Sequence, residues 1–163
     1  MALLLPGWSR SSPAVAGQAP APASRVMAII VHQSNPVSDL TLAELRRIFM
    51  LETQTWPHGR KITLVLGEKG QAGRAEIIRL ICGFSEADYD RHILLQTFRG
   101  NVGLGPRAIR SSAAMLRFVF NAPGAIGYVP AEQLDGSTKV LRINGLDLTH
   151  PKYPLRLGPP GNH

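Results

Sequence analysis

The sequence predicts an α/β fold, and three observations carry that prediction. Apolar runs rich in β-branched residues, at 27–32, 62–66 and 125–129, alternate with segments whose apolar residues recur at helical spacing. Strands and helices in alternation build a sheet with helices packed on it. Between the second run and the helix that follows, Gly67, Gly70 and Gly73 let the backbone turn tightly from strand to helix. A mixed or parallel sheet of about four strands, flanked by about four helices, is expected.

In chain order, Met27-Ala28-Ile29-Ile30-Val31-His32 reads as a buried strand that Ser34-Asn35-Pro36 ends. Thr41 and Glu44 have the spacing of a capping box, in which each side chain accepts a hydrogen bond from the other residue's backbone amide. Leu42, Leu45, Ile48 and Phe49 follow at helical spacing, so an amphipathic helix starts there. Trp56-Pro57-His58-Gly59 is a turn signal, since proline fixes one dihedral and glycine permits positive φ. It delivers the chain into the strand at Ile62. After the glycine loop, Ile77, Ile78, Leu80 and Ile81 predict a helix that Gly83 stops, and Ser85 with Asp88 starts another carrying Tyr89, Ile93 and Leu94.

Residues 98–106, the second glycine-dense stretch, read as a loop or a short strand. Ser111 or Ser112 caps a helix whose Met115, Leu116, Val119 and Phe120 share one face, and Asn121-Ala122-Pro123-Gly124 ends it. The run 125–129 is short enough to be a central strand. Residues 139–143 mix apolar and basic side chains in the manner of a half-exposed edge strand. The chain thus divides into an Ala/Pro/Ser-rich segment 1–26, an α/β domain 27–143 and a Pro-rich tail 144–163. The first segment reads either as a disordered tail or as the remnant of a leader, because Met1-Ala2-Leu3-Leu4-Leu5-Pro6 is too short and uncharged for an ordinary signal peptide.

Composition narrows the chemistry. At 163 residues with 44% apolar content the chain supports one real core. Eighteen Lys and Arg against eleven Asp and Glu give a net charge of +7, which favours anionic ligands or partners. The arginines are scattered with few aromatics among them, so no nucleic-acid motif is visible. No run reaches the length of a membrane-spanning helix. Cys82 has no second cysteine to pair with and reads as a small core residue.

The loop 67–74 is the one stretch with a specific chemical suggestion. Glycines at a strand-to-helix turn expose the first amides of a helix, where an anion finds donors. Lys69 or Arg74 could neutralise its charge, Gln71 could donate from its side chain, and Gly70 and Gly73 keep the approach open. The plain alternative is a glycine-rich connection between core elements with solvated charges on it. The spacing G-x-x-G-x-x-G matches neither nucleotide fingerprint, and no nucleophile elbow, base pair or metal-ligand spacing is present. Glu86, Asp88 and Asp90 read as a solvated helix face. No catalytic residue, metal site or cofactor is expected.

Three segments taken together resemble the phosphate-type substrate-binding proteins of ABC transporters, a branch of the type II periplasmic binding protein-like fold. They are Asn35 to Thr63, with Leu42-Ala43-Glu44-Leu45-Arg46-Arg47-Ile48-Phe49 and Trp56-Pro57-His58-Gly59; Gly100-Asn101-Val102-Gly103; and Asn121-Ala122-Pro123-Gly124-Ala125-Ile126-Gly127-Tyr128-Val129. The similarity spans about residues 27–135 and implies a single lobe of that fold. It implies a non-enzymatic solute-binding module in the periplasm, with phosphate or another small oxyanion as ligand and an ABC transporter or envelope protein as partner. The ligand is then expected at Lys69, Gly70, Gln71, Ala72, Gly73 and Arg74, together with Asn101 and Gly103. In that family the loop reads Ser-Gly-Thr at the helix start with an arginine before it. Here Gln71, Ala72 and Gly73 stand at the helix start and Gly67 at the arginine's place, so binding is expected to be weak. The resemblance also leaves open an interaction or scaffold domain that has lost its ligand.

Overall fold

A computed structural model describes residues 25–101, 103 and 105–158. The reading of the N-terminal leader or tail falls on residues outside these, as do Val102 and the last five residues. The central sheet runs β4-β3-β5-β1-β6, with β8 also paired to β1. Here β1 is Arg25–Val31, β3 Thr63–Gly67, β4 Arg107–Ile109, β5 Ala125–Pro130, β6 Lys139–Val140 and β8 Arg156–Leu157. A separate two-stranded ribbon joins β2, Asp39–Leu40, to β7, Arg142–Ile143. Four helices flank the sheet: α1 Leu42–Phe49, α2 Arg74–Cys82, α3 Glu86–Phe98 and α4 Ser112–Asn121.

The sheet is mixed, as expected, with more strands than predicted. β3 runs parallel to β4 and β5, whereas β1 is antiparallel to β5, β6 and β8. The predicted central strand is central: β5 lies between β3 and β1, paired from Met27↔Pro130 to Val31↔Ile126 on one side and at Thr63↔Ala125 on the other. Strands covered on both faces read as unbroken apolar runs, which is why these three were legible. One face presents Met27, Ile29, Val31, Leu64, Leu66, Ile126 and Tyr128 to α1, α2 and α3. The other presents Ala28, Ile30, Val65, Ala125 and Val129 to Met115, Leu116 and Val119 of α4. Gly127 is part of that packing, since a Cβ there would lie 2.7 Å from the Met115 sulfur.

Caps fall where the residues placed them. Thr41 and Glu44 form the full capping box, Ser85 accepts from the Asp88 amide, Ser111 accepts from the Ala114 amide, and Gly83 closes α2 in the left-handed conformation. Four expectations are corrected. Residues 107–109, beyond the stretch read as loop or strand, form the edge strand β4. The single strand expected at 139–143 splits into β6 and β7, because Leu141 is buried and turns the chain from β1 toward β2. Phe120 leaves the face of α4 that Met115 and Val119 share and is half exposed.

The fourth correction concerns residues 144–158, which belong to the folded unit rather than to a tail. Asn144 and Gly145, both at positive φ, reverse the chain between Ile143 and Leu146, which exchange backbone hydrogen bonds of 3.0 Å. Asn144 Oδ1 also accepts from the Leu42 amide at 2.9 Å, tying the turn to the start of α1. Tyr153, Leu155 and Leu157 then alternate into the core, and the Tyr153 hydroxyl donates to the Met27 carbonyl at 3.0 Å.

Candidate functional site

The glycine loop leaves the carboxyl end of β3, the edge at which open α/β sheets hold ligands. Its shape follows from local bonds. The Gln71 amide donates to the Glu68 carbonyl at 3.0 Å, the Arg74 amide to the Gln71 carbonyl at 3.1 Å, and Gly70 and Gly73 take positive φ. The Glu68 amide donates to the Ile109 carbonyl, and the Glu68 carboxylate pairs with Arg110, so the loop is fastened to β4. Gly73 caps α2 without a side chain, and among the described residues no acceptor takes the amides of Ala75 and Glu76. Those two amides are unpaired donors at a helix start, the position that the spacing of the glycines singled out.

The side chains around them are committed elsewhere. Arg74 is 6% exposed and its guanidinium is gripped by Glu86 and, at 2.9 Å, by Asp90. Lys69 reaches the same Asp90 at 2.8 Å. Burial disfavours the Arg74 charge, but the bonds from Asp90 and Glu86 outweigh it and hold its pKa above the ordinary value. Asp90 is pushed up by burial and brought below the usual carboxylate range by Lys69 and Arg74. Both cations of the loop therefore already have their anions. Glu86 and Asp90, one helical turn apart on α3, are not the solvated face that their sequence suggested; only Asp88 is, pairing with Arg91 at 3.3 Å.

Gln71 turns inward. Its Oε1 is buried without a partner, and a Cβ on Gly67 would lie 2.6 Å from it, so glycine at 67 makes room for this side chain. The Gly67 amide meanwhile donates to the Tyr128 hydroxyl at 3.1 Å, a bond that ties the loop to β5. Burial raises the Tyr128 pKa, and the Gly67 amide partly offsets that. Ala72 is exposed at the loop's crest and carries no polar group.

Asn101 and Gly103 are not brought to this loop. Asn101 follows α3, where its side chain donates to Gln96 and its carbonyl accepts from Gln54. Gly103 lines a cavity of about 600 Å³ with Ile48, Lys61, Thr63, Arg107 and Phe118, and Lys61 Nζ is 4.0 Å from where its Cβ would be. Lys61 precedes β3, whereas the glycine loop follows it, so the two halves of the expected site lie at opposite ends of that strand. Tyr128, Glu86 and Asp90 are the site residues that sequence reasoning missed. The Glu86–Asp90 spacing of four was the available signal, since it puts two carboxylates on one stripe of a helix.

Cys82 is buried at the end of α2 and its thiol is pushed up to about 12 by burial, which makes it a packing residue. Among the described residues no three His, Cys, Asp or Glu side chains gather to hold a metal, and no helix is long and apolar enough to cross a membrane.

Comparison with known proteins identifies the architecture. No protein-family model matches the sequence. The fold is that of the phosphate-type substrate-binding proteins of ABC transporters, and the chain spans about half the length of the solved structures it matches. One is an ABC-type phosphate transport receptor from Vibrio cholerae, 23% identical with a TM-score of 0.65, over 79% of this chain and 50% of that one. Another, assigned as a phosphate ABC transporter substrate-binding protein and solved with bound phosphate, is from Clostridium perfringens; it is 22% identical with a TM-score of 0.69, over 84% of this chain and 54% of its own. A third is PstS from Borrelia burgdorferi, 15% identical with a TM-score of 0.64, over 82% and 55%. The described domain therefore has the fold of a single lobe of such proteins.

Proposed function

We propose that this chain is a non-enzymatic solute-binding module that holds phosphate or another small oxyanion weakly at the start of α2. The observation that carries the reading is the position of the β3–α2 loop, at the carboxyl edge of a fold shared with proteins solved as phosphate receptors. The amides of Ala75 and Glu76 supply donors, Gly70 leaves room, and Lys69, three-quarters exposed, can swing from Asp90 to an anion. Asn101 and Gly103 take no part. Weakness follows from Arg74, whose charge is already neutralised, and from the lack of any hydroxyl at 71–73. The setting that suits such a module is the periplasm, with an ABC transporter or another envelope protein as partner.

Thermal unfolding in graded phosphate tests this. At ten times Kd a bound ligand adds about 1.4 kcal/mol, or roughly 3–6 °C in Tm for a domain of this size. A phosphate-dependent rise that sulfate only partly reproduces is expected, half-saturated in the millimolar range. No shift at tens of millimolar phosphate defeats the reading. The second reading, an interaction domain without a ligand, is favoured by the Arg74 clamp, which fills the site with the chain's own carboxylates.

A further inference from the structure

α3 has two apolar faces. Tyr89 and Ile93 point into the core, while Leu94, Leu95 and Phe98 point away from it, at 55%, 47% and 81% exposure. Three of the five large apolar side chains that the described surface exposes thus stand on the last turns of one helix. Arg91, which pairs with Asp88, and Arg99 flank them, and from Arg91 to Ala131 the chain has five arginines and no Asp or Glu, Arg110 among them pairing with Glu68. That quarter of the sequence carries +5 of the net charge of +7.

We infer that the carboxyl-terminal half of α3 docks on an anionic lipid surface, with Leu94, Leu95 and Phe98 entering the interface and Arg91 and Arg99 meeting lipid phosphates. Charge favours lipid over a second copy, which would bring the same arginines face to face with only Asp88, beside Arg91, to offset them. Area and shape favour lipid over an acidic protein. Three partly exposed side chains offer a few hundred Å², well short of the ~800 Å² per partner that a stable protein interface buries. A bilayer needs no complementary shape, because each apolar side chain enters it separately while the arginines stay at the headgroups. The inference does not rest on the oxyanion reading: Leu94, Leu95 and Phe98 stand on the last turns of α3, whereas Glu86 and Asp90, which hold Arg74 at the start of α2, stand on its first two.

Co-sedimentation of the full chain with sucrose-loaded vesicles tests it. Vesicles containing phosphatidylglycerol in phosphatidylcholine should bind the protein at least tenfold better than phosphatidylcholine alone, and added salt should weaken that binding. The variants L94S/L95S/F98S and R91Q/R99Q should each cost on the order of tenfold while the circular-dichroism spectrum and Tm stay as they were. Equal binding to both vesicle types overturns the inference. So does unchanged binding by the two variants, which would assign lipid contact to another part of the chain. Retention on immobilised polyglutamate without vesicle binding overturns it as well, and gives the face to an acidic protein.

Discussion

The two ends of β3 differ in what their side chains are for. At the amino end Trp56 is buried, and its indole donates to the Gly124 carbonyl at 3.1 Å, an oxygen that also accepts from the Thr63 amide at 3.0 Å. A Cβ on Gly124 would collide with the Lys61 carbonyl. So Trp56-Pro57-His58-Gly59 and Asn121-Ala122-Pro123-Gly124, the segments that carried the resemblance most clearly, meet each other in a packed corner. At the carboxyl end the loop keeps its glycines and free amides, while its charges are absorbed by Glu86 and Asp90. The lesson is that the motifs most characteristic of the fold report packing, and the end proposed to face a ligand is where this sequence departs from the pattern.

The contrast can be broken at either end. Trp56→Ala should have the largest effect, about 3–5 kcal/mol of stability lost in chemical denaturation, since it empties a packed site and removes one of the two donors to the Gly124 carbonyl. Removing both carboxylates, in E86Q/D90N, leaves a buried guanidinium without its anions. A loss of about 2 kcal/mol is expected, less than for a fully buried pair because the carboxylates are about a quarter exposed. The same variant frees Arg74, so its phosphate-induced Tm shift should exceed that of the native chain; an unchanged shift would mean that the anion does not approach Arg74.

Acid unfolding gives a smaller test. Asp90 has a folded pKa below its unfolded value of 3.8, so its contribution is complete above that pH and is lost as the pH falls through the folded value. D90N should therefore flatten the acid limb of the stability profile below about pH 4 and leave its neutral part lower. Gln71→Ala should change stability least, by under about 0.5 kcal/mol, because the carbonyl oxygen it removes is itself unpartnered. If Gln71 donates to a bound anion, the same substitution weakens phosphate binding, measured by calorimetry.

Much of the fold could be read from the residues because burial on both faces leaves a plain signature. β1, β3 and β5 are apolar runs, and Thr41, Ser85 and Ser111 mark helix starts with chemistry that works locally. What escaped was non-local. The pairing of β8 with β1 depends on contacts across the whole domain, although Asn144-Gly145 was a hairpin signal in plain view. The candidate loop was legible in its shape but not in its wiring. Gly67, Gly70 and Gly73 located the loop, yet nothing near Arg74 in sequence says that Glu86 and Asp90 will come back to hold it. Asn101 was grouped with the loop by resemblance, and the direction of β3 separates them.

The pairing of β1 has a consequence for how the chain reaches this structure. β1 is the first strand of the sheet to be synthesised, and its partners β5, β6 and β8 come about a hundred residues later. Its five buried residues, Met27 to Val31, thus have no neighbours in the sheet until most of the domain has emerged. Only α1, β3, α2, α3 and β4 can assemble early, from contacts close in sequence. The rate of folding should accordingly be set by closure of β1 onto β5, and an unpaired β1 is the segment most exposed to aggregation and most in need of a chaperone.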